Sequence, residues 1–243
     1  MTQPVSSPRV LVTVCTYKER ENLERLIPRL HEVAPQANVL VMDDNSPDGT
    51  AELIAGFQKE ADWLELTTRT NERGLGSATI AAFRWGIEQG YEIILNLDAD
   101  FSHPPEKIPE LIAGLENAEV CIGSRYVPGG AIHGWNAKRH LMSKLINWWT
   151  RLWLGIRVRD CSGAFRCYRT ELLKQLDWEG IVSKGYSFQE ELLYRCIRAK
   201  GRVLEVPIVF EDREVGESKI NMSEAVKAVK IIAWLGMKRL FGG

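Results

Sequence analysis

The sequence lacks the features of several large protein classes. Its five cysteines are scattered and none forms a C-x-x-C pair, so neither a disulfide framework nor a structural zinc site is expected. No segment approaches the roughly 20 apolar residues that a membrane-spanning helix needs. The first nine residues are polar and lack the apolar run of a signal peptide. We therefore expect a reduced, cytoplasmic chain that reaches any lipid from the membrane surface.

An excess of charge of one sign is also absent. The chain has 31 Lys and Arg residues against 32 Asp and Glu residues, which gives a formal net charge of −1. Nothing in the overall charge attracts nucleic acid, so no nucleic-acid partner is expected, and any anion site must be a local cluster. Neither a repeat nor a linker interrupts the sequence, and we predict a single domain over residues 1–243.

Strand and helix patterns alternate through the first half. Apolar runs predict strands at 10–14, 39–42, 63–68, 92–97 and 119–122. Amphipathic stripes predict helices at 21–33, 47–57, 76–88 and 105–115. In the helix at 47–57, Ser46 is the predicted N-cap and Pro47 the first helical residue. The alternation predicts an α/β fold with a mostly parallel sheet and helices on both faces, so ligands should bind beyond the carboxyl ends of the strands.

The second half is less regular. Residues 129–136 are predicted to form a loop. Strands are predicted at 163–168 and 202–210, and helices at 140–154, 188–199 and 223–240.

Two aspartates directly follow the apolar strand predicted at 92–97. Because residues i and i+2 of an extended chain point to the same side, Asp98 and Asp100 can reach one cation. Carboxylate oxygens suit Mg²⁺ or Mn²⁺, ions that also bind substrate phosphates. The competing interpretation is a pair of solvated loop residues. Two acids at the end of a buried strand, with no Lys or Arg nearby in sequence, favour the metal site.

A second acidic run follows the strand at 39–42. Asp43, Asp44 and Asp48 could accept hydrogen bonds from a ribose or a base, or could form an Asx turn and a helix cap. Both interpretations stay open. The nearby Gly74-Leu75-Gly76 lacks the third glycine of a dinucleotide-binding fingerprint, and it predicts a tight turn into a helix instead.

Four basic residues lie in predicted loops or at a helix start: Arg125, Arg139, Arg213 and Lys219. Arginine suits bidentate phosphate binding, and lysine acts as a point charge. Taken singly, each is more often a solvated surface charge, so only their convergence would indicate a site. Arg139 and Ser143 are one helical turn apart and face the same way.

The helix predicted at 140–154 has an unusually wide apolar face. Its Trp148, Trp149 and Trp153 lie beside Lys144 and Arg151, a composition that suits a membrane interface. Packing against the protein core is the alternative, and the face is broad enough to be divided between the two. The helix predicted at 223–240 invites the same interpretation.

Taken in order, these motifs resemble those of the dolichol-phosphate (polyprenol-phosphate) mannose synthases, inverting glycosyltransferases with a GT-A fold. The matching runs are Thr16-Tyr17 with Glu19, residues 43–50, 74–76, 98–100, 103–105 and 123–126, Ser162-Gly163, Phe165-Arg166, residues 184–186, Phe188-Gln189, and Asp212-Arg213 through Ser218-Lys219. The last block, in this order with the others, is the most specific.

The resemblance implies that mannose is transferred from GDP-mannose to a dolichol- or polyprenol-type phosphate with inversion. It assigns donor binding to Thr16, Tyr17, Glu19, Met42, Asp44, Asp98, Ala99, Asp100, Arg213 and Lys219. It assigns Mg²⁺ or Mn²⁺ to Asp98, Asp100 and the position of Ser102, and acceptor-phosphate binding to Arg125, Arg139 and Ser143. Asp98, Asp100, Arg125 and Arg213 would be catalytic.

The resemblance also divides the chain and names its surroundings. Residues 1–123 would bind the nucleotide sugar, and residues 124–243 would bind the acceptor and the membrane through amphipathic interface helices. The protein is then expected on the cytosolic face of a membrane, with a small membrane-anchoring subunit as a further partner. Cys15 and Lys18 depart from the residues usual in the family. Two rivals stay open: hexose transfer from a uridine donor, and a non-catalytic nucleotide-sugar-binding protein.

Overall fold

A computed structural model describes residues 7–183, 185, 187–212 and 222–241, with side chains of the final helix described from residue 226. A seven-stranded sheet has the order β3-β2-β1-β4-β7-β5-β8. Its strands are β1 (Val10–Thr16), β2 (Ala37–Asp43), β3 (Leu64–Thr68), β4 (Ile93–Asp98), β5 (Val120–Ser124), β7 (Arg166–Arg169) and β8 (Val203–Pro207). A second sheet pairs β6 (Ala131–His133) with β9 (Val209–Glu211).

The large sheet is mostly parallel, as the alternating pattern predicts. Strand β1 pairs in parallel with β2 and β4, and β5 pairs in parallel with β8. Only β7 runs antiparallel, between β4 and β5. The carboxyl ends of β1, β2, β4 and β5 therefore lie along one edge of the sheet. Because β7 runs the other way, the chain that leads into it reaches the same edge.

Helices cover both faces of this sheet. They are α1 (Arg20–Val33), α2 (Thr50–Phe57), α3 (Leu75–Glu88), α4 (Ile108–Gly114), α5 (Ala137–Leu154), α6 (Thr170–Leu173), α7 (Phe188–Arg198) and α8 (Met222–Phe241). On one face, Leu23 and Ile27 of α1 pack in a cluster with Val12 of β1. On the other, Phe83 of α3 packs with Leu11 of the same strand. The alternation of side chains along β1 thus fills two separate cores.

The start of α2 differs from the prediction. The helix begins at Thr50 rather than at Pro47. Ser46 is not its cap, because the Ser46 hydroxyl donates to Asp43 Oδ1 at 2.5 Å and accepts the N–H of Lys18 at 2.9 Å. Local side-chain hydrogen bonds of this kind compete with the helix for the backbone. Gly49, at a φ of 84°, turns the chain into the helix, a conformation that glycine adopts without steric cost.

The segment predicted as a loop at 129–136 contains a strand. Strand β6 forms there and pairs in parallel with β9. The single strand predicted at 202–210 is divided into β8 and β9 at Ile208, whose N–H donates to Ser124 O and whose carbonyl accepts from Ala131 N–H. This one residue bridges the two sheets.

Two helices also differ from the prediction. The helix predicted at 105–115 opens with a 3₁₀ turn, Pro105–Lys107, and the short α6 was not predicted.

Helices α5 and α8 pack against each other. Trp149 Nε1 donates to the carbonyl of Val229 at 3.3 Å. Gly236 allows the close approach, since a Cβ at this position would lie 2.8 Å from Trp153 Cε3. Within the ranges described above, neither these helices nor any other is both long and apolar enough to cross a bilayer.

Candidate active site

Two adjoining cavities open at the carboxyl edge of the sheet. The strand-end cleft lies beyond β1, β2 and β4, and its lining includes Thr16, Tyr17, Glu19, Asp44, Ala99 and Asp100. The helical cavity lies beside α5 and α7, and its lining includes Ser102, Arg125, Arg139, Ser143, Gln189 and Glu190. Asp98 and Leu75 line both. A molecule in the cleft and a molecule in the cavity would therefore meet at Asp98.

Aromatic and cationic side chains form one wall of the strand-end cleft. The Arg73 guanidinium lies 4.8 Å from the ring centroid of Tyr17, and its Nη1 donates to the Tyr17 hydroxyl at 3.2 Å. Lys18 Nζ lies 5.5 Å from the same centroid. The hydroxyl of Thr16 is buried and has no hydrogen-bond partner among the described residues. The cleft thus offers a planar side chain and a polar atom to an incoming ring system.

The acidic run at the end of β2 is divided between a turn, which the sequence left open as one interpretation, and the lining of the cleft. Asp43 accepts hydrogen bonds from Ser46, and Asp48 accepts the N–H of Arg20 and of Thr50, so these two aspartates form the turn. Asp44 lines the cleft instead.

The Asp44 carboxylate is itself held by two groups. Arg69 Nη1 lies 2.9 Å from Oδ1, and the Gly74 N–H donates to Oδ2 at 2.8 Å. The contact with Arg69 is a close ion pair but not an aligned hydrogen bond. These contacts connect the end of β2 to the turn that begins α3. Gly74 has a φ of 135°, a backbone conformation that favours glycine.

Backbone strain is concentrated around the same edge. Lys18, Asn45 and Phe101 have φ values of 61°, 57° and 59°, and each lies in the loop that follows a strand of the cleft. Left-handed conformations at non-glycine residues cost about 1–3 kcal/mol each and cluster at ligand sites. Three of the four described non-glycine residues with positive φ thus lie in the loops after β1, β2 and β4, and the fourth, Lys200, follows α7.

Met42, a predicted donor ligand, does not line either cavity. Its side chain is 1% exposed and packs with Leu11, Leu40 and Phe83 in the core beneath α3. Met42 points into this core because strand alternation puts the side chain of Asp43 on the opposite face. Any contact that Met42 makes with a nucleotide would have to come from its main chain.

The predicted metal residues lie together at the end of β4. Asp100 Oδ1 accepts hydrogen bonds from the N–H of Ser102 at 3.1 Å and from its hydroxyl at 2.6 Å. His103, stacked on Phe165, accepts the N–H of Asp98 at Nδ1, at 3.1 Å. Burial lowers the pKa of His103, although Asp98 and Asp100 act in the opposite direction. Ser102 thus orients Asp100, and its role as a further metal ligand stays a prediction.

The carboxylate oxygens at this site fit a magnesium or manganese ion that is also bound by a substrate. Among the described residues, no group of three or more His, Cys, Asp or Glu side chains could enclose an ion. Two carboxylates at a cavity mouth suit Mg²⁺, which usually takes one or two protein carboxylates and completes its shell with water and substrate phosphate. A zinc or calcium cage would require more protein ligands.

Arg125 is buried in the helical cavity and paired with Asp160. Its Nε and Nη2 each lie 2.7 Å from a different oxygen of Asp160, and Nη2 also donates to Ser162. Burial opposes ionisation of both groups, but their attraction outweighs it, so the pKa of Arg125 is raised and that of Asp160 is lowered. The arginine is therefore held rigidly as a charged group, with much of its charge already neutralised.

Arg139 and Ser143 lie on the wall formed by α5. Arg139 stacks on Trp135 at 4.2 Å, and its Nη1 lies 2.8 and 3.0 Å from the two oxygens of Asp212. Its Nε is buried without a partner among the described residues. Tyr126 donates its hydroxyl hydrogen to Ser143 Oγ at 2.7 Å. Because Ser143 Oγ accepts this hydrogen bond, its own hydroxyl hydrogen can point elsewhere. The wall can therefore offer an anion two hydrogen-bond donors, Arg139 Nε and the Ser143 hydroxyl.

Several residues in or beside the helical cavity have no role predicted from the sequence. His103 and Gln189 fell within matched motifs, but Asp160 and Glu190 carried no signal, because burial of a lone acid depends on packing between distant segments. Two predicted donor-phosphate residues, Arg213 and Lys219, lie outside the described residues. Their predicted roles remain expectations.

Similarity to known proteins covers most of the chain. Residues 11–177 match the family described as Glycosyl transferase family 2. A polyprenol monophosphomannose synthase of Mycolicibacterium smegmatis is 41% identical over 229 residues, which cover 93% of this chain and 86% of that protein. An undecaprenyl-phosphate mannosyltransferase of Micrococcus luteus is also 41% identical over 229 residues, 93% of each chain.

Solved structures share the fold at much lower identity. Glucosyl-3-phosphoglycerate synthase of Mycobacterium tuberculosis, in complex with Mn²⁺, UDP and phosphoglyceric acid, superimposes with a TM-score of 0.68 and 14% identity, over 96% of this chain and 78% of that one. The same enzyme with Mg²⁺ and UDP gives a TM-score of 0.64 at 15% identity, over 96% and 79% of the two chains. The likeness bears out the predicted GT-A architecture.

Proposed function

The chain belongs to glycosyl transferase family 2, and from this membership we propose the details of its reaction. It is a polyprenyl-phosphate mannosyltransferase, like the two relatives to which it is 41% identical. We propose GDP-mannose as the donor, a divalent cation as the cofactor, and inversion at the anomeric carbon. One observation carries this proposal: the polar strand-end cleft and the arginine-lined helical cavity meet at Asp98.

The strand-end cleft is the proposed donor site. Tyr17 and Thr16 would contact the nucleoside, and Asp44 and Glu19, which line the same cleft, would contact its ribose. Asp98 and Asp100 would hold Mg²⁺ or Mn²⁺. The glucosyl-3-phosphoglycerate synthase that shares the fold was crystallised with each of these ions. A cation bound there would offset the negative charge of the departing diphosphate.

The helical cavity is the proposed acceptor site. The phosphate of a polyprenol is already an anionic nucleophile at neutral pH, so no side chain has to remove a proton from it. Arg139 and Ser143 would hold this phosphate, and Arg125, fixed by Asp160, would add a rigid donor. Holding the nucleophile in line with the leaving group reduces the entropic part of the barrier. Attack from the opposite face would convert an α-linked donor into a β-linked product.

A lipid acceptor is supported by the outer surface of α5. Leu141, Leu145, Trp148 and Leu152 recur at helical spacing and are 53–60% exposed. Met142, Ser143 and Ile146 of the same helix line the helical cavity, and Trp149 and Trp153 pack inward. The wide apolar face is thus divided among solvent, cavity and core. One helix can touch a bilayer and a lipid phosphate together.

Helix α8 extends this exposed apolar surface. Trp234, Met237 and Leu240 are exposed beside Lys238, whose Nζ lies 4.0 Å from the Trp234 ring centroid. Exposed apolar side chains next to basic ones favour the interface of an anionic membrane. We propose peripheral binding at the cytosolic face, where the five free cysteines would stay reduced. A small anchoring subunit would compete for the same surface.

A transfer assay tests the proposed reaction. Radiolabelled GDP-mannose, GDP-glucose, UDP-glucose and UDP-mannose are incubated with the protein, Mn²⁺ and a polyprenyl phosphate, and label is counted in the organic extract. We expect extractable label from GDP-mannose, which is lost when EDTA is added. Faster transfer from a UDP-sugar would identify the uridine-dependent rival. Nucleotide binding without transfer from any donor would identify a non-catalytic protein.

A vesicle assay tests the membrane surface. Trp148→Ser and Leu145→Ser should reduce sedimentation with vesicles that contain anionic lipid, because each removes an exposed apolar side chain from the interface. Transfer to a short, water-soluble prenyl phosphate should be unchanged. The matched control is Glu171→Ser, an exposed residue on α6. Undiminished vesicle binding by both α5 variants would refute the proposed surface.

A further inference from the structure

Two polar side chains in the helical cavity each contain an atom that has no hydrogen-bond partner among the described residues. Gln189 and Glu190 belong to the first turn of α7 and are 4% and 3% exposed. The unpartnered atoms are Gln189 Nε2 and Glu190 Oε2. Both residues line the cavity that contains Asp98. A buried donor and a buried acceptor left unpaired are destabilising, so each calls for a ligand or an ordered water.

The next residue along α7, Glu191, is a buried glutamate whose carboxylate is fully supplied with partners. Glu191 is fully buried, and its carboxylate accepts the N–H groups of Val182 and Ser183. It also pairs with Arg195 at 2.7 Å. Glu190, adjacent in sequence and equally buried, has no such set of partners at Oε2. The two glutamates therefore differ in role.

The charge of Glu190 makes this residue unsuitable for binding a phosphate. Burial raises the pKa of Glu190 to about 7, with Arg166 and Arg125 acting to lower it and Asp160 acting to raise it. A carboxyl group that is partly ionised at neutral pH repels phosphate. It can also both accept and donate hydrogen bonds, which suits an uncharged, hydroxyl-rich group. The phosphate-binding groups proposed above belong to Arg139 and Ser143, which line the same cavity.

We propose that Gln189 and Glu190 bind hydroxyl groups of the transferred hexose and so determine which sugar is accepted. The inference rests on the proposed function, because it places the hexose between the diphosphate at Asp98 and the acceptor phosphate. Each sugar hydroxyl donates one hydrogen bond and accepts others, so neighbouring hydroxyls can satisfy an amide donor and a carboxyl acceptor together. Such a site discriminates strongly against a sugar that lacks the hydroxyl, since the buried groups are then left unpaired.

A binding comparison tests this assignment without requiring turnover. Calorimetry with Mn²⁺ measures the Kd of GDP and of GDP-mannose for the wild-type protein and for Glu190→Ala. We expect an unchanged Kd for GDP and a Kd for GDP-mannose raised by about 10- to 100-fold, the usual effect of a hydrogen bond to an ionisable group. An equal change for both ligands, or a wild type that binds both equally, overturns the inference.

Deoxy donors identify the hydroxyl. GDP-mannose analogues that lack one hydroxyl each are compared for transfer by the wild type, Glu190→Ala and the surface control Glu179→Ala. We expect one analogue to be poor for the wild type and for the control, and this particular penalty to disappear in Glu190→Ala. Identical penalties in all three proteins would mean that Glu190 holds only a water, and the inference would fail.

Thermal unfolding distinguishes substrate binding from a structural role. Glu190→Gln should unfold at the wild-type temperature or higher, because it replaces a buried carboxyl that can ionise with a neutral amide of similar shape. Glu191→Gln should lower the unfolding temperature, because it weakens a satisfied network. A fall for Glu190→Gln as large as that for Glu191→Gln would overturn the inference. If no donor supports transfer by the wild type, the proposed function fails, and the binding comparison still decides the role of Glu190.

Discussion

The strand-end cleft takes its polar residues from the ends of parallel strands and from the loops that follow them, whereas the helical cavity is assembled from helices and a buried ion pair. In the cleft, Thr16, Asp44 and Asp98 are brought together by the register of β1, β2 and β4 alone. In the cavity, Arg125, Arg139 and Glu190 come from a strand end and two separate helices. The first arrangement follows from topology and the second from tertiary packing.

This difference determines how far the stability of each region depends on the partners of its charged side chains. The carboxylates of the cleft lie at the carboxyl edge of the sheet, and the sheet does not depend on them in order to fold. In the cavity, the buried positive charge of Arg125 is compensated by Asp160, which is buried beside it. Substitutions in the cleft should therefore affect catalysis with the fold intact, while substitutions that break the Arg125–Asp160 pair of the cavity should affect stability and catalysis together.

The largest expected effect breaks the ion pair of the cavity. Asp160→Ala leaves the buried guanidinium of Arg125 without its partner, and removal of one member of such a pair typically costs about 3–5 kcal/mol of unfolding free energy. Denaturant unfolding monitored by Trp fluorescence measures the change. Glu171→Ala, which removes an exposed ion pair with Lys174, should stay within about 1 kcal/mol. A similarly small loss for Asp160→Ala would refute the difference between the two regions.

The next effect concerns the cleft. Asp100→Asn should lower kcat/KM for transfer by roughly 10²- to 10³-fold, the usual consequence of removing one electrostatic contact to the developing charge. The fold should be retained, because the amide oxygen of Asn can still accept from Ser102. Steady-state kinetics and an unfolding curve measure the two quantities. Rates near the wild type would contradict the proposed role, and a lost fold would contradict the independence of the cleft.

A smaller effect distinguishes acceptor from donor. Arg139→Ala should raise KM for the lipid phosphate by about 10- to 100-fold, because one charged hydrogen-bond donor is removed. The Kd for GDP should not change, since Arg139 does not line the strand-end cleft. Kinetics with varied acceptor and calorimetry with GDP provide the two values. Equal losses in both would show that the division between the regions is wrong.

The smallest effect tests the core position of Met42. Met42→Leu should change the unfolding free energy by less than about 1.5 kcal/mol, as volume-conserving core substitutions do. GDP affinity should be unchanged, because the side chain does not line the cleft. Leu40→Met, in the same cluster, is the matched control. A selective loss of GDP affinity in Met42→Leu would show that the donor contact implied by the family resemblance is made by the side chain.

The parallel sheet and the position of the acidic residues were predictable from the sequence. Apolar runs of β1, β2 and β4 are long, and each is followed directly by its polar residue, so one rule about strand ends is enough to bring Asp44 and Asp98 together. The start of α2 was not predictable from its Ser-Pro signal, because Asp43 captured the side chain of Ser46. Local hydrogen-bond competition of this kind is decided only in the folded chain.

The helical cavity was predictable only in part. Helical spacing placed Arg139 and Ser143 on one face of α5, and the structure puts both in the cavity. Strand β6 was missed, because three residues in a glycine-containing segment carry no strand pattern until β9 lies beside them. The burial of Asp160 and Glu190 was also missed, since each depends on contacts between segments far apart in the chain.

If donor and acceptor phosphates meet at Asp98, as we propose, paramagnetic relaxation by a bound Mn²⁺ ion will report how close they are. Mn²⁺ is bound to the protein with GDP, and the ³¹P resonance of a short-chain prenyl phosphate is recorded with and without the ion. The account predicts strong Mn²⁺-dependent broadening that is lost in Arg139→Ala, while GDP binding stays intact. A prenyl phosphate that binds the wild-type protein without broadening would place the acceptor away from the metal and contradict the account.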